Sequence, residues 1–358
     1  MVTKQGALVF KAGPRAYDII RTHGFSPDLI GSIVGASGGA KWLVLSQIDR
    51  VLASRLLPAL TAPVFLLGSS IGAWRFACYA QADPLAAIGR FESAYLEQRY
   101  SDDPDIHEIT TTSRAILKGV LGPTGVDEIL AHPTLRTSVM TVRSRHLLAS
   151  ERRPVLMAGL MMAMAANAVS RRALGGFFAR GLFFDSRDLP PFYGIDEFPI
   201  DRVPLSADNL IDAVVASGSI PLVLNGVKDI ADAPSGTYRD GGVIDYHLDL
   251  PQARDDKLAL YPHFFDWLKP GWFDKPLSWR KVRPESVANT LLIAPSAEFI
   301  DSLPGRKVPD RSDFVRLPTD ERVARWREVV TRCQELADDL EATLDNDALP
   351  SRLEPLTR

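Results

Sequence analysis

Cysteine is nearly absent. The 358 residues hold two, Cys78 and Cys333, far apart and without the spacing of a metal knuckle, so neither a zinc site nor a disulfide framework is indicated. Such a chain fits a reducing, cytoplasmic setting. The six histidines, His23, His107, His132, His146, His247 and His263, form no metal-type pair, and neither a metal nor a cofactor is expected. Excess basic charge is missing too: a formal net charge of -3 supplies no general field for nucleic acid, so no nucleic-acid partner is expected. Long hydrophobic runs are lacking. The longest, Val155 to Val169, falls short of the roughly 20 residues a bilayer-spanning helix needs. The first apolar run, Ala7 to Phe10, is too short for the core of a secretory signal.

What is present is ordinary for a folded protein, with 46% hydrophobic and 24% charged residues. Strand and helix patterns alternate: strands at Ala7–Phe10, Leu29–Val34 and Val64–Leu67, helices at Pro14–His23, Gly39–Leu56 and Ile71–Ala80. Asp83-Pro84 then opens another helix, with Asp as N-cap and Pro in the first turn. Strands at Thr137–Val142 and Thr290–Ala294 and a helix at Asn209–Val215 follow, while Tyr261 to Trp279 reads as loop. This alternation implies an α/β domain over 1–358, its mainly parallel sheet covered by helices. Residues 155–200, rich in Met and Phe, read either as core or as an apolar cap or membrane-contacting surface. Within 319–358, Asp320 to Leu344 reads as one amphipathic helix packed on the domain, with Cys333 in the core.

Three short segments carry the chemistry. Gly35-Ala36-Ser37-Gly38-Gly39-Ala40-Lys41 and Gly68-Ser69-Ser70-Ile71-Gly72 each follow an apolar strand and precede a helix, the setting in which small residues hold a serine on a strained turn. Tyr238-Arg239-Asp240-Gly241-Gly242 comes later. A fourth segment, Ala216-Ser217-Gly218-Ser219-Ile220-Pro221, lies shortly before that aspartate.

In this order the segments, spanning roughly residues 30 to 250, resemble the patatin-like phospholipases. The resemblance implies a three-layer α/β/α fold, Ser70 as nucleophile within Gly68 and Gly72, and Asp240 as base before Gly241 and Gly242. It also implies an oxyanion loop of Gly38, Gly39, Ala40 and Lys41, the first three through their backbone N–H groups and the lysine adding positive charge or meeting a lipid phosphate. One departure is Ser37, which stands where the family usually has glycine. Gly35-Ala36-Ser37-Gly38-Gly39 is itself a G-x-S-x-G, so Ser37 remains an alternative nucleophile, with Lys11-Ala12-Gly13-Pro14-Arg15 as a degraded oxyanion loop ahead of it.

The expected activity is serine acyl hydrolysis of a lipid or acyl ester by a Ser–Asp dyad. A general carboxylesterase or acyltransferase with the same nucleophile is an alternative, as is a catalytically silent lipid-binding protein on the same fold. A Ser70–Asp240–His247 or His263 triad is formally available, although His247 follows Asp240 too closely for the usual separate loops. The oligomeric state is not legible.

Overall fold

The apolar runs become strands of one eleven-stranded sheet: β1 (Leu8–Ala12), β2 (Ile30–Gly35), β3 (Val64–Ser69), β4 (Leu135–Ser144), β5 (Phe178–Phe184), β6 (Ile200–Pro204), β7 (Val227–Lys228), β8 (Thr237–Asp240), β9 (Leu258–Pro262), β10 (Thr290–Pro295) and β11 (Leu353–Pro355). This computed structural model describes residues 6–254 and 256–356; the extremes of the ranges 1–358 and 319–358 considered above lie outside them. The sheet order is β11-β1-β10-β9-β2-β3-β4-β5-β6, parallel through the β10-β9-β2-β3-β4 centre. All six residues of β3 are buried, as expected of a parallel strand covered on both faces.

The helices are α1 (Pro14–His23), α2 (Ser46–Val51), α3 (Ile71–Tyr79), α4 (Pro84–Leu96), α5 (Ile106–Leu121), α6 (Gly125–Ala131), α7 (Arg153–Val169), α8 (Leu210–Ser217), α9 (Ala297–Ser302), α10 (Asp313–Arg316), α11 (Thr319–Arg332), α12 (Gln334–Asp345) and α13 (Leu349–Arg352). They cover the sheet to give a three-layer α/β/α fold. Asp83 caps α4 through a bond from the Ala86 N–H to its carboxylate, and Pro84 starts the helix.

The structure departs from the sequence reading in three places and decides an open one. Gly39 to Leu56 is not one helix: a 3-10 segment over Gly39–Leu45 precedes α2, because Trp42 to Leu45 are buried on every side and packing overrides the amphipathic period. The C-terminal helix breaks at Cys333, where α11 packs on that 3-10 segment and α12 turns to pack on α2. Tyr261 and Pro262 belong to strand β9 rather than loop. Of the two readings left open for the phenylalanines after α7, Phe178, Phe183 and Phe184 take the core one, in β5 between β4 and β6.

Ten-residue β4 positions the site. Its first six residues pair with β3, Ser69 lying opposite Met140. Beyond the end of β3, the same strand pairs with β8 from Thr141 onward, Thr141 lying opposite Asp240. Two segments far apart in sequence thus meet end to end along one template.

Candidate active site

Ser70 sits between β3 and α3 with φ 54° and ψ -126°, outside the regions that a side-chain-bearing residue adopts without strain. Surrounding contacts fix the turn. A Cβ on Gly72 would lie 2.0 Å from the Gly35 carbonyl oxygen, so only glycine lets α3 start against the end of β2. The Ser70 N–H donates to Ser217 Oγ at 2.8 Å, and Ser217 Oγ donates to the Met140 carbonyl at 2.6 Å. Below the turn, Arg75 of α3 makes a two-pronged ion pair with Asp49 of α2 at 2.8 and 2.5 Å. The Tyr79 hydroxyl donates to the same carboxylate at 2.7 Å, with arginine and aspartate both buried.

The Ser70 hydroxyl donates to Asp240 Oδ2 at 2.7 Å. Asp240 Oδ1 accepts from the Gly242 N–H at 2.7 Å, and the Asp240 N–H donates to the Ser219 carbonyl at 3.0 Å. Both members are buried, at 4% and 6% exposure, deep enough for the environment to control the carboxyl. Burial pushes its pKa up to about 6, while the bonds from Ser70 and Gly242 pull the other way. A carboxylate in that range is basic enough to take a proton and still ionised near neutrality.

Ser37 lies close by but is differently engaged. Its hydroxyl donates to Ser69 Oγ at 2.9 Å and its N–H to the Tyr246 carbonyl at 2.9 Å. After it, Gly38 opens the 3-10 segment and Gly39 takes φ 57°, a left-handed conformation favouring glycine. The N–H groups of Gly38, Gly39 and Ala40 have no acceptor among the described residues, as expected where a helical segment starts. Lys41 is half-buried; burial lowers its pKa, opposed by the Asp310 carboxylate. The other loop weighed above is strand β1 and the start of α1, with the Gly13 N–H bonded to the Thr290 carbonyl.

Neither histidine bonds to Ser70 or Asp240. His247 Nδ1 accepts from the Lys269 N–H at 2.9 Å, His263 Nδ1–H donates to the Phe265 carbonyl at 2.6 Å, and the two rings pack edge to face. Burial drives both imidazoles toward the neutral form.

Sequence reasoning missed the parts played by Ser217, Ser219 and Lys275. The first two tie Ser70 and Asp240 to one segment at the C-terminal end of α8. The Lys275 ammonium lies 3.8 Å from the centre of the Tyr246 ring, although the residue as a whole is exposed. Desolvation at that ring and the field of Lys41 bring its pKa down to about 8, with the Asp240 carboxylate opposing. No feature of the sequence marks Lys275, since it lies in an aromatic stretch with no motif.

Ser217→Ala leaves the Ser70 N–H and the Met140 carbonyl without their side-chain partner, a cost of about 1–3 kcal/mol for buried groups. If Ser70 is the reacting group, kcat is expected to fall roughly tenfold or more with little change in KM. Steady-state kinetics with a thermal melt checks both.

No known family's sequence profile matches the chain, and no curated protein matches it in sequence. Among solved structures, the crystal structure of VipD from Legionella pneumophila is similar at 12% identity and TM-score 0.34, over 94% of this chain and 71% of that one. A likeness at that level carries no functional weight.

Proposed function

We propose that the protein is a serine acyl hydrolase in which Ser70 is the nucleophile and Asp240 the general base, acting on a lipid ester. The observation that carries the reading is the 2.7 Å bond from the Ser70 hydroxyl to a buried carboxylate, made from a strained turn between a strand and a helix. It agrees with the resemblance to the patatin-like phospholipases. Ser37 is the weaker candidate, because its hydroxyl is bonded to another serine and not to a base.

In the proposed reaction Ser70 Oγ bonds to the ester carbonyl carbon as its proton passes to Asp240. The tetrahedral oxyanion is held by the N–H groups of Gly38, Gly39 and Ala40, each donor of this kind being worth roughly 2.7–4 kcal/mol. Collapse breaks the ester C–O bond, and the leaving alkoxide takes the proton from Asp240. Water then loses a proton to Asp240, attacks the acyl-enzyme and releases the carboxylic acid, restoring the Ser70 hydroxyl. Lys41 and Lys275 supply positive charge for an anionic head group. A cytoplasmic setting, consistent with two buried free thiols, belongs to the same proposal.

The test is a pH–rate profile on p-nitrophenyl esters of increasing chain length. Asp240 works only when ionised, so kcat/KM is expected to fall about tenfold per pH unit below about 6 and to level off above it. Longer acyl chains are expected to react faster. Activity that ignores pH between 4 and 7, or no turnover of any ester, contradicts the assignment.

A further inference from the structure

The exposed large apolar side chains of the described residues are concentrated in one region. Of twelve, nine fall within residues 147–169 or 267–279. Helix α7 is the first part. Its inner face, Leu156, Gly159, Ala163 and Asn167, is buried, while Met157, Met161, Met162, Met164 and Val169 are exposed on the other side. Between Pro154 and Ser170 the sequence carries no charged residue at all, so this outer face has none of the lysines and glutamates of a solvated helix.

The second part is the stretch 267–283 before β10. Trp267, Trp272 and Trp279 are exposed there, Trp279 by 67%, too open for a core residue. The two parts touch: Asn167 of α7 donates to the Asp274 carboxylate at 2.8 Å, and Arg280 donates to the Asn167 carbonyl at 2.9 Å. The same stretch borders the dyad, since the Tyr246 N–H donates to the Pro270 carbonyl at 2.8 Å and Lys275 stands over the Tyr246 ring.

Charge identifies the occupant. Arg152, Arg153 and Arg172 flank α7 at the surface, while Arg171 is buried against Glu197 and Asp274; in residues 267–283, Lys269, Lys275 and Lys281 are joined by Arg280 and Arg283, which pair with Asp274 and with Asp249 and Glu197. The chain as a whole is net negative, so this local positive charge is a regional property. Apolar side chains, interfacial tryptophans and flanking arginines together match the boundary of an anionic bilayer. A second copy of this chain would bring the same positive ends together. No helix among the described residues is long and apolar enough to cross a membrane, and α7, about 25 Å long at 1.5 Å per residue, suits lying in the interface plane.

We propose that the outer face of α7 and the adjoining tryptophan stretch seat the protein on an anionic lipid surface, with the Ser70–Asp240 site opening beside the contact. This goes beyond the hydrolase reading and is tested without turnover. Co-sedimentation with vesicles of phosphatidylcholine, with and without phosphatidylglycerol, is measured for wild type, Ser70→Ala and the double variant Met161→Glu/Met162→Glu, with folding followed by circular dichroism. Wild type and Ser70→Ala are expected to bind equally and to prefer the anionic vesicles. The double variant is expected to partition about a hundredfold more weakly, from the apolar burial lost. Trp279→Ala, at an exposed position, provides a second variant with reduced partition, and wild-type tryptophan emission is expected to shift to the blue with vesicles. Failure of wild type to bind, unimpaired binding by a folded double variant, or a dimer in ultracentrifugation that the same substitutions dissociate without any vesicle binding overturns the proposal.

Discussion

Asp240→Asn is expected to abolish ester hydrolysis and at the same time to stabilise the fold at neutral pH. The first effect follows from the dyad: asparagine keeps the shape and can still meet Ser70 and the Gly242 N–H, but it cannot take a proton. A loss of about 10⁴-fold in kcat is expected, matched or exceeded by Ser70→Ala, while Ser37→Ala retains activity. The second effect follows from linkage. Burial raises the folded pKa of Asp240 to about 6, above its ordinary value of 3.8. Its contribution to stability is therefore fully present below the unfolded pKa and lost as pH rises through about 6, where the folded state must hold a buried charge. Asparagine has no charge to hold, so the variant gains on the order of 1–3 kcal/mol over wild type above that range and nothing below pH 4. Thermal melts at pH 4 and pH 7.5 check the sign. A gap that does not widen with pH contradicts the environment assigned to Asp240.

The second large effect lies below the turn. Asp49→Ala leaves the buried Arg75 guanidinium without its carboxylate and Tyr79 without its acceptor. Removing one partner of a buried pair typically costs 3–5 kcal/mol, and roughly 4–7 °C in Tm for a chain of this size. Because Arg75 lies on the helix whose start holds Ser70, activity is expected to fall in the protein that remains folded. Asp49→Asn, which keeps an acceptor for both partners, is expected to lose less. A melt within 2 °C of wild type for Asp49→Ala would show that the pair does not hold α3 in place.

Several N-terminal elements of the fold were legible because their signals are local. The apolar runs at Leu29–Val34 and Val64–Leu67 and the Asp83-Pro84 start act within a few residues, and each became the expected element within one or two positions. The pairing of β8 with the far end of β4 was not legible, since it joins residues about a hundred positions apart through backbone bonds that no side-chain pattern encodes. The Phe-rich run at 178–184 stayed open between core and cap for a related reason: a short continuous apolar stretch has no period to reveal whether it lies in a sheet or over a pocket. The C-terminal periodicity marked a buried face but not the break at Cys333, which comes from packing against two different partners.

At the site, sequence supplied the serines and the aspartate and favoured Ser70 over Ser37 only through the order of the segments, because both turns read G-x-S-x-G. The difference lies in backbone and bonding: Ser70 has positive φ and faces the aspartate, whereas Ser37 spends its hydroxyl on Ser69. The double anchor by Ser217 and Ser219 was equally hidden. One side-chain oxygen and one carbonyl hold the two members of the dyad, and neither bond leaves a trace in spacing.

The central claim is that Ser70 is a nucleophile activated by Asp240, and covalent labelling tests it most directly. Folded protein is treated with a fluorophosphonate probe and the modified peptide identified by mass spectrometry, for wild type, Ser70→Ala, Ser37→Ala and Asp240→Asn. A single adduct on Ser70, absent in Ser70→Ala, unchanged in Ser37→Ala and strongly slowed in Asp240→Asn, is the predicted result. An adduct on Ser37, or no adduct on protein shown to be folded, would contradict it.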